Sequence, residues 1–269
     1  MPLQINSKTQ LLCVIGKPSR HSRSPAMHNA GFSELGLNMV YLAFEPENLK
    51  KTVEALRQLG ALGFNVTMPF KEEIIPLLDR MDDSARRIGA VNTVVNSNGR
   101  LTGYNTDGEG AVSALKTQID LRGKKILMLG SGGAAKAICF ALEKEGTKIT
   151  VSSRNTLSAR KLAKTIGHSS VALSEIKSLE EFDVLINATP VGMEPNARQT
   201  PIAPNLLHKK LVVFDLVYEP RDTVLLKEAK RRGCRTIEGL EMLLGQGFAS
   251  FELFTGKKAP RDAMRRAIR

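Results

Sequence analysis

The sequence predicts an α/β protein of two domains. Short apolar runs bounded by turn residues alternate with helix-period segments along nearly the whole chain, the pattern of strands covered by helices in a parallel sheet. One such run, Ile126–Leu129, breaks into a glycine-rich turn that opens a helix. Ahead of it, Leu121-Arg122-Gly123-Lys124 is a polar break that reads as the junction between domains.

Length and composition bound the reading. A chain of 269 residues can bury two cores, and 42% hydrophobic with 25% charged residues is ordinary for a globular protein. No apolar run approaches the roughly 20 residues of a membrane span, and MPLQINSKTQ lacks a signal-peptide profile, so a cytoplasmic location is expected. Cys13, Cys139 and Cys234 stand singly in apolar contexts, as reduced core thiols. Four histidines without ligand spacing give no metal site. The net charge of +12 is spread along the chain, and aromatics are only 5%, with no basic-aromatic interleaving. The excess therefore reads as solvated helix faces and a positive field for small anions rather than a nucleic-acid surface.

Taken in order, Leu11–Ile15 is a buried strand ending at Gly16, followed by the polar loop KPSRHSRSP and a helix from about Pro25 to Leu35. Ser24 fits its N-cap, with Pro25 in the first turn. Ser22 places a second hydroxyl at the same positive helix end, a plausible seat for a carboxylate. A strand at Met39–Phe44, a helix near Glu47–Leu59 and a strand at Gly63–Val66 follow. Beyond them Thr67 or Met68 is expected to cap a helix holding Pro69 and Lys71 in its first turn. A lysine there opposes the helix dipole at a cost of a few tenths of a kcal/mol, which flags function, although a solvated helix lysine also accounts for it. After an acidic segment, Asp79 to Asp83, two strands flank the turn Asn96-Ser97-Asn98-Gly99. The second empties into Asn105-Thr106-Asp107-Gly108, where Asp107 is an N-cap, a first-turn acid or a functional carboxylate.

Residues 126–151 read as β-α-β around Gly130-Ser131-Gly132-Gly133-Ala134-Ala135. Gly130 makes the tight turn, Gly132 admits a pyrophosphate close to the backbone, and Ala135 lets the helix pack on the strand. The helix N-terminus offers its unpaired N–H groups to the phosphates. This reads as a Rossmann-like dinucleotide site, favoured over a tight strand-to-helix turn with no ligand because a strand precedes it and a helix and second strand follow. The second strand ends in Ser152-Ser153-Arg154-Asn155, with no carboxylate to hold a ribose 2′-hydroxyl. Arg154 is either a solvated loop residue or the partner of a 2′-phosphate, and with the glycine turn upstream NADP is favoured over NAD.

A helix near Leu157–Ile166, a strand running into Asn187-Ala188-Thr189-Pro190 and a strand at Leu211–Leu216 come next. A helix at Arg221–Arg232 and a strand at Cys234–Ile237 follow them. The segment Gly239–Phe254 carries an apolar helical face that includes Gln246, and a basic helix starts at Pro260.

Together these motifs resemble the shikimate dehydrogenase family from about residue 12 to about residue 257. The matches are Ser22-Arg23-Ser24-Pro25, Asn65-Val66-Thr67-Met68-Pro69-Phe70-Lys71, Gly89-Ala90-Val91-Asn92-Thr93, Asn105-Thr106-Asp107-Gly108 and the glycine turn. Downstream are Asn187-Ala188-Thr189-Pro190, Tyr218-Glu219-Pro220, Glu238-Gly239-Leu240 and Gly245-Gln246.

The resemblance implies reversible NADPH-dependent reduction of 3-dehydroshikimate to shikimate, in aromatic amino-acid biosynthesis. It implies a substrate domain of residues 1–107, to which residues from about 240 to 269 return, an NADP domain of residues 108–239, and a cleft between them. Ser22 and Ser24 would hold the substrate carboxylate. Thr67, Asn92, Asp107 and Gln246 would bind its hydroxyls, with Asn65 and Tyr218 nearby, and Lys71 with Asp107 would form the catalytic pair. Gly130, Ser131, Gly132, Gly133, Ala134, Ala135, Ser153, Arg154, Asn155, Asn187, Ala188, Thr189 and Gly239 would hold the cofactor. The family's second adenosine-phosphate arginine falls at Ser158 here, with Arg160 or Lys161 as substitutes. A small-molecule substrate is the only partner expected, on a monomer or homodimer. A quinate-type polyol dehydrogenase and a non-catalytic dinucleotide-binding regulator are the other readings.

Overall fold

The computed structural model describes residues 5–269, and the chain falls into two compact units, residues 1–106 with 246–269 and residues 107–245. The first unit begins β1 (Gln10–Ile15), α1 (Ser24–Glu34), β2 (Met39–Phe44), α2 (Leu49–Gln58) and β3 (Gly63–Val66). It continues through a two-residue β4 (Arg80–Met81), α3 (Asp83–Ile88), β5 (Thr93–Ser97) and β6 (Arg100–Tyr104). The second unit holds α4 (Asp107–Lys116), β7 (Lys125–Leu129), α5 (Gly133–Lys144), β8 (Lys148–Ser152), α6 (Thr156–Thr165) and β9 (Ser169–Ser170). Its remaining elements are β10 (Val184–Asn187), β11 (Val212–Asp215), α7 (Val224–Arg231), β12 (Arg235–Ile237) and the first turns of α8 (Gly239–Thr255). The end of α8 and α9 (Arg261–Arg266) belong to the first unit, where α9 packs on α1 and Arg23 Nη1 donates to the Ile268 carbonyl at 2.8 Å.

The first sheet has the order β2-β1-β3-β5-β6-β4. Its β2-β1-β3 half is parallel, but β5 runs antiparallel to β3 and to β6. The alternation of elements accounts for the parallel half, and the two strands expected on either side of the Asn96-Ser97-Asn98-Gly99 turn form an antiparallel pair. The reason is local: the turn at Asn98 and Gly99, with φ of 53° and 85°, joins β5 to β6 as a hairpin, which only antiparallel neighbours allow. Cys13, Ile15, Phe64, Val66, Val94 and Leu101 make the core beneath it.

The second sheet, β12-β11-β10-β7-β8-β9, is parallel throughout. The chain crosses from β7 out to β8 and β9 and returns on the other side as β10, so β7 and β10 flank the switch point at which doubly wound sheets bind ligands. The break between units falls at Thr106, not at Leu121–Lys124. The helix α4 goes with the second unit because it lies against α5 closely enough that a Cβ on Gly108 would sit 2.4 Å from the Ala137 carbonyl.

One local expectation is corrected. No α-helix follows Thr67; residues 68–74 are turns leading to a three-residue 3-10 helix, Ile75–Leu77. Pro76 has no N–H to donate to the Glu72 carbonyl, so the i to i−4 bond from Ile74 N–H to the Phe70 carbonyl at 3.0 Å is not continued and gives way to i to i−3 bonds, Ile75 N–H to Glu72 at 3.3 Å. At the end of the acidic segment the chain starts α3, capped by Asp82, whose carboxylate accepts from Ser84 and Ala85 N–H at 3.1 and 2.9 Å. Among the described residues no helix is long and apolar enough to cross a membrane.

Candidate active-site residues and family membership

In the first unit, the carboxyl ends of the parallel strands carry the predicted substrate residues. Gly16 ends β1, and a Cβ there would lie 2.1 Å from Thr67 Cγ2, so glycine is what lets Thr67 come in against that strand end. Thr67 N–H donates to the Ile15 carbonyl at 2.9 Å. The turn bearing the half-buried Lys71 is fastened by Val91 N–H to the Lys71 carbonyl, 2.8 Å. The lysine thus sits on a turn anchored to the strand-entry segment, and the helix dipole proposed for it from the sequence does not exist.

Asn65 and Asn92 are brought together in a buried polar network. Asn65 Nδ2 donates to the Asn92 carbonyl at 3.1 Å and to Thr93 Oγ1 at 2.9 Å, while its Oδ1 accepts from the Tyr41 phenol at 2.6 Å. Asn92 Oδ1 accepts from Thr106 N–H at 2.9 Å and Thr93 Oγ1 at 2.9 Å, and its Nδ2 donates to Thr106 Oγ1 at 3.0 Å. Burial of so many polar atoms is tolerable because they satisfy one another, and it fixes both amides. Thr106 is the last residue of this stretch of the first unit, immediately before Asp107.

The serine pair needs a correction. Ser24 is the first residue of α1 and buried, not its N-cap; the cap position is Arg23, and Ser22 Oγ accepts the Ser24 N–H at 3.2 Å. Ser22 therefore satisfies one of the helix's orphan donors. The reason is that Pro25 stands at the second helical position, not the first. Gln246 is half-buried on α8, one residue before Gly247, where a Cβ would meet Met27 Cε at 2.1 Å.

In the second unit the glycine turn follows β7. Gly130 has φ of +118°, and a Cβ there would lie 2.8 Å from the Ala188 carbonyl oxygen, so only glycine allows the turn and the close passage of the β10 end. Gly132 caps α5 with no side-chain bond, the first turn has no acid, and a Cβ at Gly132 would meet no protein atom. The space before the N–H groups of Gly133, Ala134 and Ala135 is a cradle that a side chain would fill, which fits a dinucleotide's phosphates. Ser131 Oγ donates to Ser153 Oγ at 3.2 Å, tying the turn to the end of β8, and Ser153 Oγ donates to the Asn155 carbonyl at 2.7 Å. Asn155 caps α6 through Ser158 N–H at 3.1 Å, so its side chain is engaged in the fold. Arg154, Arg160 and Lys161 are exposed.

At the end of β10, Asn187 is fully buried, with Ala188 and Thr189 half-buried beside it. Asp107 is a buried first-turn acid of α4. Tyr218 is half-buried in the segment after β11, and Gly239 starts α8 where a Cβ would lie 2.5 Å from the Leu216 carbonyl. Sequence reasoning missed Tyr41 and Asp215. Tyr41 lies in an apolar strand and Asp215 at the end of another, and neither carries a motif that marks it.

The family models decide the identity. The shikimate dehydrogenase substrate binding domain matches residues 14–94, the shikimate / quinate 5-dehydrogenase model residues 112–241, and the shikimate 5'-dehydrogenase C-terminal domain residues 239–269. The chain belongs to the shikimate dehydrogenase family. A shikimate dehydrogenase (NADP(+)) from Thermococcus kodakarensis is 48% identical over 267 residues, covering 97% of each chain. One from Methanopyrus kandleri is 44% identical over 281 residues, covering 99% of this chain and 97% of the relative. Among solved structures, shikimate 5-dehydrogenase from Thermus thermophilus, in complex with NADP(H) and shikimate, superposes with a TM-score of 0.90 at 38% identity, covering 96% of this chain and 98% of that one. Burial also separates this dehydrogenase from thiol chemistry: Cys13 and Cys139 are buried free thiols whose pKa is pushed up to about 12.

Proposed function

We propose that this shikimate dehydrogenase reversibly reduces 3-dehydroshikimate to shikimate with NADPH, as a cytoplasmic enzyme of aromatic amino-acid biosynthesis. The observation that carries the proposal is family membership along almost the whole chain together with the open cradle at Gly132, ahead of an α-helix that no side chain caps. NADPH supplies a hydride. The protein's share is to orient the ketone, supply a proton and stabilise the developing alkoxide.

Roles follow by residue. Ser22 and Ser24 take the carboxylate, whose charge suits a helix N-terminus. Thr67, Asn92, Asp107 and Gln246, with Asn65 and Tyr218, take the hydroxyls. Lys71 donates the proton and Asp107 assists it. Gly130 to Ala135 receive the pyrophosphate, Ser153, Arg154 and Asn155 the adenosine side, and Asn187, Ala188, Thr189 and Gly239 the remaining edge. The domains that carry these roles are residues 1–107 with about 240–269, and residues 108–239.

A second reading, quinate oxidation, is favoured by the weakened clamp: Ser158 stands where a second arginine would be, and the central family model covers both activities. Absorbance at 340 nm with shikimate and quinate, each against NADP and NAD, separates the two. Shikimate with NADP is expected to be fastest; quinate with NAD as the preferred pair would reverse the assignment.

A further inference from the structure

The carboxylate of Asp215, fully buried at the end of β11, has no part in the roles above, yet three segments of the second unit meet on it. Thr223 Oγ1, the N-cap of α7, donates to Oδ2 at 2.6 Å. Val217 N–H donates to Oδ1 at 3.1 Å, and Asn187 Nδ2, at the end of β10, donates to the same oxygen at 2.9 Å. Burial raises the pKa of this carboxyl against the three hydrogen bonds, so retaining an acid here opposes solvation.

What the acid accomplishes is visible in Asn187. A carboxylate can only accept, so it dictates which end of the amide turns toward it. The second Nδ2 hydrogen goes to the Val191 carbonyl at 3.1 Å, which leaves Oδ1 for Thr189, accepting its N–H at 3.1 Å and its Oγ1 at 2.6 Å. Thr189 Oγ1 accepts Val191 N–H at 3.2 Å and closes the turn. The same turn carries the Ala188 carbonyl that a Cβ on Gly130 would strike.

We propose that Asp215 is a positioning residue for the cofactor: through the Asn187 amide it holds the Ala188-Thr189-Pro190 turn against Gly130, so that the dinucleotide seat is formed before the cofactor arrives. This rests on the NADP reading of the glycine turn. Preorganisation of this kind acts on affinity, because the binding event no longer has to order the turn.

The test titrates NADP+ calorimetrically into wild type, Asp215→Ser and Asp215→Asn, and follows amide hydrogen exchange at Thr189, which bonds Asn187 and not Asp215. Serine keeps a hydroxyl for Val217 N–H but is too short for Asn187; asparagine keeps an acceptor at the Oδ1 position. Asp215→Ser is expected to weaken NADP+ binding by about tenfold, as for a buried donor left unpaired, and to speed Thr189 exchange. Asp215→Asn is expected to stay within about threefold of wild type, a difference below one hydrogen bond. Wild-type affinity and Thr189 exchange in Asp215→Ser, or equal losses in the two variants, overturn the proposal. Should Asp215→Ser not fold, Asn187→Ala, which breaks the relay and leaves Asp215 bonded to Thr223 and Val217, replaces it, and wild-type values there overturn the proposal equally. Wild type that binds no NADP+ removes instead the reading on which the proposal rests.

Discussion

Tyr41 Oη donates a 2.6 Å hydrogen bond to Asn65 Oδ1 from two strands away, with both residues buried. In the sheet order β2-β1-β3, Tyr41 pairs with Leu12 and Asn65 with Val14, so both project from the same face and the phenol reaches across β1. Tyr41 is held in turn by the His28 ring, stacked at 4.4 Å and 6°. With both Nδ2 hydrogens also engaged, Asn65 has a single orientation. Tyr41→Phe removes only the hydroxyl and leaves part of that amide unsatisfied, which costs about 1–3 kcal/mol. The Michaelis constant for shikimate is expected to rise about tenfold, the equivalent of some 1.4 kcal/mol, while the dissociation constant for NADP+ stays unchanged. An unaltered shikimate constant in a folded variant would detach Asn65 from the substrate.

Arg154 is the residue proposed to recognise the cofactor's 2′-phosphate. A charge-assisted hydrogen bond contributes about 1.5–3 kcal/mol, toward the lower end for a side chain as exposed as this one. Arg154→Ala is expected to raise the Michaelis constant for NADP roughly tenfold and to leave that for NAD nearly as it was. Steady-state kinetics with both cofactors decide it; equal losses would mean that the arginine does not recognise the 2′-phosphate.

His28 predicts an acid sensitivity. It is completely buried among Phe32, Tyr41, Phe251 and Phe254, neither ring nitrogen has a hydrogen-bond partner, and burial lowers its pKa from 6.5 to about 3. Below pH 6.5 the unfolded chain takes up a proton that the folded chain refuses until about pH 3. Stability from this residue is therefore present above pH 6.5 and falls by about 1.4 kcal/mol per pH unit through that window. Denaturant unfolding from pH 7 to pH 4 is expected to be flatter in His28→Phe than in wild type. Parallel curves would show that His28 does not set the acid limit.

What can be read in the sequence is what neighbouring residues decide. The glycine turn at Gly130 to Ala135 declares strand, turn and helix within ten residues, and β2 and β3 fall where alternation puts them. Lys71 is assigned to a helix by local propensity, which does not register that Pro76 has no N–H with which to continue one. The six residues of α3 are too short for a period to show, and only the Asp82 cap marks them. Tyr41 and Asp215 are illegible for another reason. The partners named above, Asn65 and Asn187, lie 24 and 28 residues away, on strands whose placement in the sheet follows from topology rather than from any local motif.

The measurement closest to the central claim is the consumption of NADPH at 340 nm with 3-dehydroshikimate, comparing wild type with Lys71→Met, both prepared in a host lacking its own enzyme. Wild type is expected to oxidise one NADPH per ketone reduced, with shikimate as product. Lys71→Met should lose the proton donor and the cationic stabilisation of the alkoxide, lowering turnover by roughly 10²–10⁴-fold while substrate binding changes far less. Asp107→Asn should also slow turnover, with the double variant hardly worse than the poorer single, as for groups that act as a unit. No NADPH oxidation by wild type, or near-normal turnover in Lys71→Met, would contradict the account.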